Sequence, residues 1–347
     1  MSRNTQPSPK GIALIPQASK VSRLGLDWFI GALIGVIILA YLWPQLGVDR
    51  EPVSLGDVAG YGVALIFFFY GLRLSPEKLR TGLSSWRLHL VVQLSTFVLF
   101  PLLVLPFHTF FEGSRLELLW LGTFFLAALP STVSSSVVMV SIAGGNIPAA
   151  IFNASISSLL GIFITPLWMG LFLQASASGF DVWGIMSKLV VQVLLPVILG
   201  VLLHRYWGRF AEQYKNKLRL FDQIIILLIV YTSFCESFAR DMFSEYSVSS
   251  LFMLALVMMG LFFLVYGLIH LVTTMLGFSL ADRIATIFCG SKKSLVHGTV
   301  MAKVLFPDAN LIGIVLLPIM TYHALQLLAA SSIAQRLARA AAPKQSV

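Results

Sequence analysis

The sequence predicts an all-α integral membrane protein of ten transmembrane helices arranged as two inverted five-helix repeats, with broken helices at the fourth and ninth positions. Three observations predict it. Of 347 residues, 57% are hydrophobic and 11% charged, at a mean hydropathy of +0.87, far from the composition of a soluble domain. Nearly the whole chain divides into apolar runs of about 20 residues, the length a helix needs to cross the hydrocarbon layer. Two of those runs are interrupted by polar and helix-breaking residues, one in each half of the chain.

In order, the spans are Leu26 to Leu46, Leu55 to Leu74, Leu88 to Phe107, Leu118 to Ile142, Ala149 to Leu173, Val182 to Leu203, Ile224 to Phe238, Ser250 to Leu276, Ala281 to Phe306 and Leu311 to Ile333. Residues 1–25 lack the apolar core of a signal peptide and read as a cytoplasmic tail, as do residues 334–347. The net charge of +9 is a matter of topology rather than of nucleic acid binding. With the amino terminus inside, the cytoplasmic segments hold Arg73, Lys78, Arg80 and Arg87, then Arg205, Arg209, Lys215, Lys217 and Arg219, then Arg283, Arg336, Arg339 and Lys344. The opposite side keeps Arg50, Arg115 and Arg240 among acids. This asymmetry orients spans during insertion and places both ends in the cytoplasm of a multi-pass plasma (inner) membrane protein.

The fourth span is apolar to Leu129 and then reads Pro130-Ser-Thr-Val-Ser-Ser-Ser136. Pro130 removes a backbone donor, and the hydroxyls of Ser134, Ser135 and Ser136 present oxygens inward. Ala143-Gly-Gly-Asn146 is turn chemistry, with Asn146 as N-cap and Pro148 in the first turn of the fifth span. On that span Asn153 and Ser157 lie four apart and share a face. Gln93 in the third span is a lone amide. The ninth span carries Gly290-Ser-Lys-Lys-Ser294 and His297. An unpaired Lys at mid-bilayer costs about 3 kcal/mol or more, so Lys292 and Lys293 require a partner or a hydrated cavity. His270 and His323 are read as packed in the core, and Cys235 and Cys289 as packed thiols without disulfide or metal spacing.

Two interrupted helices, each fourth in its set of five, mark an inverted-repeat transporter with its site near the midplane. The repeats run over 26–173 and 182–333; an odd number of spans in each inverts the second against the first. No residue-level repeat is visible. No cofactor motif and no nucleotide-binding loop are present.

Leu129-Pro130-Ser-Thr-Val-Ser-Ser-Ser136, Ala143-Gly-Gly-Asn146, Ala149-Ala-Ile-Phe-Asn153, Gly161-Ile-Phe-Ile-Thr-Pro-Leu167, Tyr231-Thr-Ser-Phe-Cys235, Ile287-Phe-Cys289 and Lys293-Ser-Leu295 resemble the bile acid:sodium symporter superfamily. The similarity is strongest to the branch that includes solute carrier family 10 member seven and its bacterial relatives. It implies a core of helices three to five and eight to ten moving against a panel of helices one, two, six and seven. Substrate-binding residues are then Ser134, Ser135, Ser136, Asn153, Ser157, Lys292, Lys293, Ser294 and His297, with sodium oxygens at Ser135, Ser136, Asn153 and Gln93.

The sequence also departs from that family. Aligned on Gly290 and Ser294, the family's sodium-binding glutamate falls at Phe288, its glutamine at Lys292 and its asparagine at Lys293. An ammonium at Lys293 in the former cation position would supply the charge itself, which leaves the coupling ion open between sodium and proton. Cations and broken-helix amino termini favour a small organic anion as substrate. Membrane lipid is the surrounding partner. Two rival functions stand beside transport: a non-transporting regulator or scaffold with the transporter fold, and a hydrolase with a Ser-Lys dyad of Ser291 or Ser294 with Lys293. Neighbouring helix residues do not face each other, which argues against the dyad and against an enzyme.

Overall fold

The computed structural model describes residues 28–48, 55–73, 85–176, 194–239, 246–306 and 308–341, with a few single positions between 184 and 244. The tail 1–25 and most of 182–193 in the sixth span lie outside these residues, as does the side chain of Ser134. Among the described residues every regular element is helical. The helices are α1 (Trp28–Leu42), α2 (Leu55–Arg73), α3 (Trp86–Phe111), α4 (Glu117–Ala128), α5 (Ser134–Ile142), α6 (Ile147–Ser176), α7 (Leu195–Gln213), α8 (Lys215–Ala239), α9 (Val248–Met275), α10 (Leu280–Gly290), α11 (Leu295–Leu305) and α12 (Ala309–Ala341).

Among the described residues, five stretches are long and apolar enough to cross a membrane: Trp86–Phe111, Ile147–Leu173, Lys215–Ala239, Val248–Met275 and Leu311–Ala340. Outward-facing apolar side chains such as Phe252, Leu102 and Leu171 are exposed along them, as a lipid-facing surface requires. The chain is thus a multi-pass membrane protein. Helix ends and hydropathy ends differ where charge continues a helix. α8 begins at Lys215 rather than at Ile224, because the basic turns Lys215 to Arg219 are good helix formers outside the apolar run. α12 likewise runs on to Ala341, so the first part of the expected tail extends the helix.

α2 packs against α7 and α8. A Cβ on Gly71 would strike the Val197 carbonyl and one on Gly200 the Phe68 carbonyl, so glycines at both positions let the two backbones meet. Arg73 Nη2 donates to Asp222 Oδ2 at 3.0 Å and ties α2 to α8. Between α5 and α6, Gly144 takes φ +73°, a left-handed turn that L side chains resist. Asn146 caps α6, accepting from Ala149 N at 3.1 Å. It also joins that turn to α10 by donating Nδ2 to Asp282 Oδ1 at 2.7 Å.

One correction falls on α9. His270, expected in the core, is exposed. It sits on the outward side of α9, beside the buried Ile269 that holds the inward position. His323, by contrast, meets Gln326, its Nδ1 3.0 Å from Nε2.

Candidate functional site

Two interruptions organise the interior. α4 ends at Ala128 and α5 begins at Ser134; α10 ends at Gly290 and α11 begins at Leu295. Every helix end leaves carbonyls without their backbone donors, and in an apolar interior each needs another partner. At the end of α4 several partners come from other elements. Leu129 N donates to the Leu126 carbonyl, and Thr165 Oγ1 donates to Ala128 O at 2.8 Å. Ser294 N, from the other interruption, takes Pro130 O at 3.0 Å. Ser131 N, which a continuous helix would aim at Ala127 O, turns instead to Ser157 Oγ at 2.9 Å.

Lys293 takes the carbonyls of Ala127 and Leu129. Its Nζ donates to Ala127 O at 2.7 Å and to Leu129 O at 2.8 Å. A third bond of 2.7 Å goes to Thr96 O on α3. That carbonyl is free for a local reason. Ser95–Leu99 is a π-helical turn, in which Phe100 N bonds Ser95 O; the next donor in that pattern would be Pro101, which has no N–H. The Nζ also stands 4.2 Å from the centroid of the Phe100 ring, a cation–π distance. Three acceptors at hydrogen-bond distance match the three N–H donors of an ammonium, whereas a neutral amine has two. Lys293 is 1% exposed and sits at the carboxyl end of α4, where the helix dipole favours a cation.

The backbone of the second interruption is clamped by α12. Lys293 N donates to Gln326 Oε1 and Gln326 Nε2 donates to Lys293 O, both at 2.8 Å. Tyr322 OH donates to Ser291 O at 2.7 Å. The end of α10 is answered from α5 and the segment before it. Ser131 Oγ donates to Cys289 O at 2.5 Å and Ser136 Oγ to Phe288 O at 3.1 Å. Thr132 Oγ1 links to Ser136 Oγ at 2.7 Å and accepts from Ser135 Oγ at 3.0 Å.

Lys292 differs from its neighbour. It is fully buried, and among the described side chains its Nζ donates to Ser135 Oγ alone, at 2.8 Å. Ser294 Oγ caps α11, accepting from His297 N, and lies 2.9 Å from His297 Nδ1. The opposite nitrogen, His297 Nε2, is buried without a partner, and the ring stands against Phe67 and Tyr70 of α2, centroids 5.7 Å and 6.4 Å away. Gln93 Nε2 donates to Asn153 Oδ1 at 3.2 Å, while Gln93 Oε1 is buried and unpaired. Asn153 Nδ2 in turn donates to Ala149 O.

The sequence-derived residues therefore gather around one crossing but hold different stations. Ser136 spends its hydroxyl on a helix end and Ser157 accepts a backbone N–H. Ser135, Lys292 and His297 keep spare capacity. Ser291 Oγ bonds Ile287 O, and no serine hydroxyl is among the partners of Lys293 Nζ, so the Ser-Lys dyad is not assembled. Sequence reasoning missed Ser131, Thr132, Tyr322, Gln326 and the freed carbonyl of Thr96. Pro101, inside an otherwise apolar span, was the available signal for the last.

Apolar membrane helices with two interruptions that exchange hydrogen bonds across a buried polar centre define a broken-helix membrane protein. The chain belongs to the SBF-like CPA transporter family, whose model matches residues 27–339. It is 38% identical over 314 residues to the symporter candidate YfeH of Escherichia coli (strain K12), covering 90% of this chain and 93% of that one. It is 34% identical over 316 residues to sodium/bile acid cotransporter 7-A of Xenopus laevis, covering 90% and 91%. Against sodium/bile acid cotransporter 7 of Rattus norvegicus the identity is 32% over 314 residues, covering 90% and 92%.

Proposed function

We propose that the protein is a secondary transporter of a small organic anion that works by alternating access, with the Lys293 ammonium standing as a built-in cation where a coupling sodium would otherwise bind. The observation that carries this reading is the cage of three carbonyls, from Thr96, Ala127 and Leu129, closed on Lys293 Nζ. A sodium ion and an ammonium tethered at that point compete for the same oxygens. Coupling to sodium through the cage is thereby replaced, and a proton is the remaining coupling ion.

The ten-span inverted repeat belongs to this proposal, with helices three to five and eight to ten as core and one, two, six and seven as panel. Its support is a symmetry of contacts. The shift along the chain that carries Ser131 onto Lys293 also carries Ala127 onto Cys289. Ser131 Oγ donates to Cys289 O, and Lys293 Nζ donates to Ala127 O. The two interruptions thus exchange equivalent bonds, one made by a hydroxyl and one by an ammonium.

Lys292 and His297 are the groups proposed to meet the substrate. Lys292 has donors beyond its bond to Ser135, and His297, whose ring packs against Phe67 and Tyr70 of α2, keeps Nε2 buried without a partner. A carboxylate or phosphate would compensate both, since a buried ammonium left short of acceptors is costly.

The test is flux into proteoliposomes from a panel of labelled carboxylates, phosphates and sulfonates, with sodium replaced by choline. The proposal expects uptake of at least one anion above empty vesicles in choline medium, lost in Lys292→Gln. Folded protein that moves none of them is the behaviour of a regulator or scaffold and contradicts it.

A further inference from the structure

On the flank of the molecule, away from the crossing, α3, α4 and α9 leave an apolar cleft of about 660 Å³. Leu103, Phe107, Trp120, Val257, Gly260 and Leu264 are among its walls. Along α9 it runs from Ser249 to Leu264, about 22 Å at a rise of about 1.5 Å per residue. Its polarity is confined to one end. Ser249 and Ser250, in the first turn of α9, line the mouth with exposed hydroxyls, each sharing one hydrogen bond with the N-cap Ser247 Oγ at 2.8 Å and 2.9 Å. The one other hydroxyl among its lining residues, Thr123 Oγ1, is spent on Leu119 O at 2.8 Å.

Two further observations bear on the occupant. α3 and α9 are the least buried of the five long apolar stretches, with 39% and 33% of their most apolar window buried, so this flank faces the hydrocarbon. Gly260 has open space beside it: a Cβ there would meet nothing within 4 Å. A long apolar space with exposed hydroxyls at one end matches a lipid, with its tail along the cleft and its glycerophosphate end at the mouth.

We propose that this cleft holds one acyl chain of a membrane phospholipid, with the glycerophosphate end at Ser249 and Ser250. Trp120 lines this cleft and is only 5% exposed, so it reports on a chain seated in the cleft.

The full chain, reconstituted with phosphatidylcholine brominated along its acyl chains, tests this. The difference in emission between the protein and its Trp120→Phe variant isolates Trp120. The proposal expects most of that emission to be quenched, and the quenching to be largely abolished in Gly260→Leu, which fills the open space; Val257→Phe is the second filling variant if the first does not fold. Native mass spectrometry of the detergent-purified protein should show a retained phospholipid that the filling variants lose. Unquenched Trp120, equal quenching in the filled cleft, or a dimer mass lost on filling without any lipid loss would each overturn it.

Discussion

Lys293 Nζ lies 2.7 Å from the carbonyl oxygen of Ala127, the position at which α4 would have continued had Ser131 N not turned to Ser157. A side chain from one interrupted helix therefore completes the other. The bond satisfies an orphan carbonyl and sets an amine at the negative end of a helix dipole, where a cation is favoured.

Replacing Lys293 by Met keeps much of the stem and removes every donor. Three buried carbonyls lose their partner, at about 1 to 3 kcal/mol each. A loss of at least about 3 kcal/mol is expected, read as a fall in the thermal midpoint of the detergent-purified protein. Lys293→Arg should not restore it, because a planar guanidinium does not fit a cage shaped for a compact ammonium.

Gln326 makes two hydrogen bonds to the backbone of one residue, Lys293. Gln326→Leu removes both and leaves a buried N–H and C=O, so a loss of about 2 kcal/mol or more is expected. Gln326→Glu can still accept from Lys293 N but cannot donate to Lys293 O unless protonated. Its stability relative to wild type should therefore improve as pH falls, which a pH series of thermal midpoints checks.

Lys292 has a single described partner, and its loss should behave unlike that of Lys293. Lys292→Gln retains a donor for Ser135 Oγ, so the thermal midpoint should stay within about 1 kcal/mol equivalent of wild type. Anion uptake should nonetheless disappear. Equal loss of stability in both lysine variants would erase the distinction between them.

Gly200 and Gly71 let α2 and α7 touch. Gly200→Val places branched carbons against the Phe68 carbonyl. Overpacking of this kind costs about 1 to 3 kcal/mol, and Gly31→Val on α1, where a Cβ meets nothing within 4 Å, serves as the neutral comparison in the same unfolding assay.

Helix positions were legible because hydropathy and breakers are local properties. Pro130 and the Gly290–Ser294 stretch announced both interruptions, and Gly144 with Asn146 announced the turn and cap. Partners were not legible, because a hydroxyl or ammonium in the sequence does not declare which carbonyl it meets. Ser136 and Ser157 read as ligand oxygens yet each makes a bond across the crossing, while Gln326 gave no local signal at all. His270 was misplaced because an imidazole in an apolar helix carries no mark of which side it occupies. The ends of α8 and α12 overran the apolar runs, since helix propensity continues past the point where hydrophobicity stops.

The central claim is that Lys293 fills a cation position. Thermal unfolding of the purified protein across a sodium series, held at constant ionic strength with choline, tests it without knowledge of the substrate, because any ion bound only by the folded state raises stability with its concentration. The wild-type midpoint should not change when sodium replaces choline, and Lys293→Ala, with its carbonyls vacated, should gain a saturable rise with sodium. A saturable sodium-dependent rise in the wild type that persists unchanged in Lys293→Ala would contradict it.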